Sequence, residues 1–531
     1  MKIQFQHTLD KPVVQTKAGK IRGFQMDGVY TFYGIKYAQA NRFQAPRPVE
    51  PWEGIKNATS FGYICPVIQN SLPNDEILIA HRFWPENEDC QNLNIWTKSL
   101  DGADKRPVMV WIHGGTFSAG SSIEMPAYDG DQMALHEDVV WITLNHRLNI
   151  LGYLDMSSFD KKYENSVNAG IADLVQALIW IRENIAAFGG DPQNVTIMGQ
   201  SGGGRKVTTL LQSPAAAGLF HKAILQSGTS EWNPVSSEHH RKLIITILGE
   251  LSLKEGDYEK LERVPYPALA RAYRRARQTL NDQDGTRLSA PGEFTPTKNG
   301  WFLGAPPFHG FSDYAKTVPI LMGSVLCEVG SSPAIPDRDS LGAPQKKALL
   351  QEIYGENTDR LIELFTRAYP EKNELLLLDF DTTYRFNLLN YVERKVSEST
   401  APLFLYLLGL EFDYLGGKGA WHCSEIPFAF RQAATVPVYH MEGVMEKLQG
   451  EMSGAWASFA RTGDPSHKGL AEPWPAYNLE ERPVMVFDKT SGVKRNHEKE
   501  LVELHKASSG QQRTSRSSRP IPRFDEEKWV Y

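Results

Sequence analysis

Seven short runs of the chain are almost purely apolar: Pro107–Ile112, Val139–Leu144, Val195–Met198, Ala223–Gln226, Val318–Met322, Pro402–Leu407 and Pro483–Phe487. A strand with one wet face alternates apolar and polar residues. Uninterrupted runs suit strands covered on both sides, as in a parallel sheet. Between the second and third runs, Ile171, Leu174, Val175, Leu178, Ile181, Ile185 and Phe188 recur at three- and four-residue steps within Asn168–Phe188, ending at Gly189-Gly190-Asp191-Pro192. That spacing predicts a helix with one buried face. Strands alternating with helices predict an open α/β sheet with crossover connections. Ahead of it, Val13-Val14, Lys20–Phe24 and Tyr30–Tyr33 read as short strands separated by Gly and Asp turns.

Composition bounds the function classes. Apolar residues make up 41% and charged residues 23%, enough for a large core and too apolar for a disordered chain. The net charge of −6 argues against a general nucleic-acid coat. No stretch approaches 18 uncharged apolar residues, so no membrane span is expected. The beginning MKIQFQHTLDKP has no apolar core of a signal peptide, so the chain reads as soluble and cytoplasmic as it starts, or secreted if a leader was removed. Four cysteines in 531 residues are no disulfide scaffold, and no Cys/His cluster points to a metal. Neither a metal nor an organic cofactor is expected, and the oligomeric state stays open between monomer and homodimer.

The strongest local signal is Gly199-Gln200-Ser201-Gly202-Gly203, which fits G-x-S-x-G, follows an apolar strand and leads into Lys206–Leu211, a segment able to start a helix. Strand, tight turn and helix form the setting in which a serine is presented as a nucleophile. Such a serine needs a base and a site for the developing oxyanion. His113-Gly114-Gly115-Thr116-Phe117, directly after the first apolar run, offers backbone N–H groups of Gly115 and Thr116 to join that of Gly202. His113 itself reads as structural rather than as the base.

With these motifs in place, the chain resembles the carboxylesterase type B family, which includes carboxylesterases and cholinesterases, in a bacterial or fungal form. The resemblance runs from about residue 12 to 480. It rests on Phe32–Ala38, Glu88–Trp96, Asn145–Leu148, Asn184–Pro192, Gln226–Gly228, Phe459–Pro465 and Trp474–Tyr477. It implies an α/β-hydrolase fold in which Gly323–Gly330 is the acid loop and Gly419–Phe428 the histidine loop. Glu328 would then orient and stabilise the imidazole of His422, and His422 would serve Ser201 as base. The implied activity is hydrolysis of neutral apolar or aromatic esters through an acyl-enzyme. Alternatives are a specialised esterase for a bulky natural product or polyester fragment, and a non-catalytic adhesion protein, which the retained triad disfavours.

The resemblance also implies a disulfide between Cys65 and Cys90, while Cys327 and Cys423, beside Glu328 and His422, read as independent thiols. Gln200, Trp232, Trp84, Trp421 and Phe117 are the candidates to line the substrate pocket. Three departures from the family pattern stand out. Gln200 replaces an acidic residue, which lowers attraction for cationic substrates; Thr116 replaces a glycine; and His146 and Asn149 replace Tyr and Gly. Length alone would divide 531 residues into three or four domains of about 150 residues. The motifs instead predict one catalytic unit over 1–505, with helical elaborations at 232–315 and 341–400 and a flexible tail at 506–531.

Overall fold

A computed structural model describes residues 4–68, 76–229, 235–284, 294–297, 310–328, 338–381, 384–414 and 416–516. Its centre is a twelve-stranded sheet. In chain order the strands are β1 (Phe5–Gln6), β2 (Phe24–Met26), β3 (Val29–Lys36), β4 (Asn92–Thr97), β5 (Arg106–Ile112), β6 (Val140–Leu144), β7 (Gly190–Gln200), β8 (Lys222–Gln226), β9 (Ile320–Val325), β10 (Leu403–Leu408), β11 (Pro483–Phe487) and β12 (Gly492–Arg495). The spatial order is β1-β2-β3-β4-β6-β5-β7-β8-β9-β10-β11-β12. From β6 to β11 every pairing is parallel. The flanking pairings, β1 to β4, β4 with β6, and β11 with β12, are antiparallel. Val13–Gln15, Lys20–Arg22 and Ile55–Asn57 make a separate small sheet.

The apolar runs are explained by two cores, one on each face of the sheet. Val108, Val110 and Ile112 of β5 enter one cluster, with Ile171, Leu174, Leu178 and Ile181 of the helix Ala169–Asn184. Met109 and Trp111 enter the other, with Trp141, Phe430 and Trp456. Successive side chains point to opposite faces, so a strand covered on both must be apolar throughout. The helix Ala169–Asn184 continues as a 3₁₀ turn to Phe188 and stops at Gly189, whose φ of +75° suits glycine.

The segment 436–465 is only partly α-helical. Pro437–Tyr439 is a 3₁₀ turn, and the helix runs Met445–Thr462. Gly443 at φ +70° sets the bend ahead of it. The segments around the sheet are helical where described: Ser237–Glu250 and Tyr266–Asp284, then Ala343–Tyr354, Thr358–Ala368 and Tyr384–Glu398. The last helix runs Lys499–Arg516, past residue 506, where the sequence suggested a tail. Among the described residues no helix is long and apolar enough to cross a membrane.

The expected Cys65–Cys90 disulfide is absent; all four cysteines are free thiols. Cys65 and Cys90 form a small apolar cluster with Leu148 and Leu151. The Leu148 N–H donates to the Cys65 Sγ at 3.3 Å, and that thiol donates to the Pro66 carbonyl at 3.7 Å. The pair therefore serves as small buried hydrophobes with weak polar contacts. Cys327 and Cys423 are likewise separate thiols, as expected.

Candidate active site

The parallel register aligns the carboxyl ends of the strands. Ile112 of β5 pairs with Gly199 of β7, Gln200 with Gln226 of β8, and Gln226 with Gly323 of β9. The loops after β5, β7, β9 and β10 therefore meet at one edge, where ligands bind in open α/β sheets.

Ser201 sits between β7 and the helix Gly202–Leu211 at φ +56°, ψ −121°. A non-glycine residue there is strained, and the surroundings hold it in place. Its N–H donates to the Gln226 carbonyl at 2.8 Å. The turn is tight enough to require glycine on both sides. A Cβ on Gly199 would stand 2.4 Å from the Gly203 backbone, and one on Gly203 would stand 2.0 Å from the Ile112 carbonyl oxygen. The ten-residue helix after Ser201 directs the positive end of its dipole at the serine.

Glu328 is buried, with Oε1 accepting the Val325 N–H at 3.1 Å and Oε2 accepting from His422 Nδ1 at 2.5 Å. The His422 N–H donates to the Glu328 carbonyl at 2.8 Å, so backbone and side chains tie the two loops together. Burial alone would keep the His422 ring neutral. The charge and hydrogen bond of Glu328, with Glu425 and Asp381 beyond it, outweigh burial and raise the pKa. The bond from Nδ1 to Glu328 makes Nε2 the proton-accepting nitrogen of the neutral ring.

Gln200 is buried behind the ring. Its amide nitrogen stands 3.3 Å from each ring nitrogen, and its oxygen accepts the Cys423 thiol at 3.2 Å. These contacts hold the Gln200 amide against the His422 imidazole. Tyr384 packs on the other side of His422, with ring centroids 4.8 Å apart. Beneath lies buried Glu425, three residues after the histidine. Burial, then the charge of Glu328, pushes its carboxyl up to about 7. Gln226 donates to its Oε1 at 3.3 Å. Sequence reasoning passed over Tyr384 and Glu425; only the place of Glu425 in the histidine loop signals it.

The loop after β5 closes over the elbow. Gly115 and Thr116 both have positive φ, +76° and +55°. A Cβ on Gly202 would stand 2.2 Å from the Thr116 nitrogen. Among the described residues, the N–H groups of Gly115, Thr116 and Gly202 donate to no other group of the protein. His113 is fully buried, its Nδ1 3.1 Å from the Gly114 carbonyl, and stacks on His146 at 5.1 Å. Burial, then the nearby Lys206 charge, drives the pKa values of both rings well down, which suits a structural role.

The aromatic candidates are dispersed. Phe117 is buried against Tyr153, and Trp421 is packed on Phe412 and Tyr439. Trp84 is half-buried against Phe61. Trp232 lies outside the described residues. Among the described residues no cluster of His, Cys, Asp and Glu could hold a metal ion.

The chain is similar to known proteins over most of its length. The carboxylesterase family matches residues 10–505. Para-nitrobenzyl esterase of Bacillus subtilis is 32% identical, covering 92% of this chain and 97% of its own. Phenmedipham hydrolase of Pseudarthrobacter oxydans is 31% identical, covering 90% and 95%. The solved structure of a Clostridium hathewayi esterase that hydrolyses aliphatic aromatic polyesters superposes with a TM-score of 0.90 at 44% identity, covering 95% of this chain and 100% of the other. The chain therefore belongs to the carboxylesterase family, as a serine hydrolase of ester substrates with the α/β-hydrolase fold.

Proposed function

We propose that Ser201, His422 and Glu328 are the catalytic triad, that the N–H groups of Gly115, Thr116 and Gly202 form the oxyanion hole, and that the substrates are neutral esters with apolar or aromatic groups. The observation that carries the reading is the Glu328–His422 hydrogen bond, with Gln200 of the strained serine turn in contact with the same imidazole. Ser201 Oγ attacks the ester carbonyl while its proton passes to His422 Nε2. The tetrahedral oxyanion rests on the three N–H groups. Collapse breaks the bond to the alkoxy group, which leaves with the proton from His422. Water then attacks the acyl-enzyme by the same route, releasing the acid and restoring Ser201.

Charge near the serine supports neutral substrates. Gln200 carries none, and Glu425 is pushed up to about 7, so its charge is reduced at neutral pH. The 44% identity to the Clostridium hathewayi enzyme favours a second, narrower reading, in which aromatic polyester fragments are among the esters accepted. The test is a panel of p-nitrophenyl and terephthalate esters, combined with fluorophosphonate labelling and peptide mapping. Label on Ser201, and loss of label and turnover in folded Ser201→Ala, are expected. Wild-type turnover by Ser201→Ala overturns the mechanism.

A further inference from the structure

Lys206 lies on the first turn and a half of the helix that follows Ser201, and it is fully buried. Its Nζ donates to the His113 carbonyl at 3.0 Å and to the Gly114 carbonyl at 3.2 Å. The Gly114 carbonyl belongs to the same peptide unit as the Gly115 N–H. A donor placed on the carbonyl of an amide polarises it, and the N–H at its other end becomes a stronger donor in turn. A buried lysine is costly, yet this one spends its contacts on the two carbonyls directly before the oxyanion donors.

We propose that Lys206 is a positioning residue of the oxyanion hole: by gripping the His113 and Gly114 carbonyls from below, it fixes the loop, polarises the Gly115 N–H, and places a positive charge behind the developing oxyanion. The proposal rests on the oxyanion hole assigned above. Stacked His113 and His146, both neutral, wall the amine, and Glu124 and Cys65 also face it. Burial pushes the Lys206 ammonium down to about 7 against the opposing pull of Glu124 and Cys65. Its charge is present below that pH and is lost above it. His422 works in the opposite sense, since it accepts a proton only when neutral. Loss of the Lys206 charge therefore weakens the oxyanion hole at higher pH, where His422 is neutral.

The experiment compares wild type with Lys206→Met, which removes donor and charge, and Lys206→Gln, which keeps a neutral donor. Readouts are kcat and KM across pH 6 to 9 and inhibition by an aryl trifluoromethyl ketone, which forms a tetrahedral oxyanion on the serine. Loss of one oxyanion donor typically costs about 10²–10³ in kcat. For a group acting through such a donor the expectation is a fall of roughly 10–100-fold in Lys206→Met, KM within about twofold, and a parallel loss of ketone affinity. Lys206→Gln recovers part of kcat, and both variants lose the alkaline fall. Wild-type kcat in folded Lys206→Met, or an unchanged alkaline fall in either variant, overturns the proposal. Should both variants fail to fold, ketone affinity of the wild type decides: a decline through about pH 7 supports the proposal, and a flat profile overturns it. Failure of the fluorophosphonate to label wild-type Ser201 would instead overturn the serine mechanism itself.

Discussion

Replacing Gly202 by alanine tests the contact between elbow and oxyanion loop. The added Cβ would stand 2.2 Å from the Thr116 nitrogen, 2.3 Å from its Cα and 2.6 Å from its carbonyl oxygen. Ordinary carbon contacts begin near 3.5 Å, so the two backbones must part by roughly 1 Å. Every atom struck is backbone, and no rotamer change relieves it. Thr116 is already at φ +55°, a costly place for a β-branched residue. The loop cannot retreat freely either, since Lys206 holds its carbonyls and the Ala119 N–H donates to the Gly115 carbonyl at 3.0 Å. A 1 Å misplacement of a catalytic group costs about 10²-fold in rate, and a lost oxyanion donor costs about 3–4 kcal/mol. We expect kcat of Gly202→Ala to fall by about 10²–10³ with KM changed only a few-fold. Steady-state ester hydrolysis measures this, with thermal melting to establish folding. Adding Thr116→Gly should restore part of the rate, because glycine lets the loop backbone adjust. A folded Gly202→Ala enzyme with kcat/KM within threefold of wild type refutes the argument.

Two further outcomes follow from neighbouring charges. Gln200→Glu sets a carboxylate against the His422 ring, which favours the protonated imidazole, so the acid limb of kcat/KM should move to higher pH; an unmoved limb would show that Gln200 does not brace the ring. Arg385 and Glu498 form a buried pair behind β10, with Arg385 Nε donating to Glu498 Oε1 at 2.9 Å. Burial opposes ionisation of Glu498, but the Arg385 charge outweighs it and lowers the pKa. The pair's contribution is therefore present above the ordinary carboxylate pKa and lost as pH falls through the depressed folded value. Glu498→Gln should cost about 3–5 kcal/mol in urea unfolding at pH 7, since it strands a buried guanidinium. A loss below 1 kcal/mol would contradict that pairing.

The sheet was readable because burial on both faces leaves only apolar residues in the central strands, as in Met109 and Trp111 opposite Val108 and Val110. The elbow was readable because its glycines are imposed locally by backbone clashes. Glu328 and His422 carry no such local mark. Long helical segments separate them, and only family resemblance picked them out. Resemblance also has limits: it placed Cys65 beside Cys90 but supplied a bridge where the chain keeps two thiols. Side-chain direction was not legible for the pocket candidates Phe117 and Trp421, whose rings pack on Tyr153 and Phe412. Lys206 follows Arg205 directly and carried no mark of its own in the sequence; its place became visible only with the positions of the two carbonyls.

The aligned strand ends have a consequence for biogenesis. Between Ser201 and His422 the chain adds three strands of the central sheet, β8, β9 and β10, that pair in sequence order, and the proposed base cannot be oriented until the loop after β10 closes on Glu328. A ribosome exposes the proposed nucleophile Ser201 about two hundred residues before the proposed base His422, and chains generally acquire structure from the amino end as they emerge. Throughout that interval the serine has no partner to activate it. On the proposed triad, ester cleavage would switch on only once this last loop is in place, making turnover a reporter of completed assembly that shorter nascent chains would not mimic.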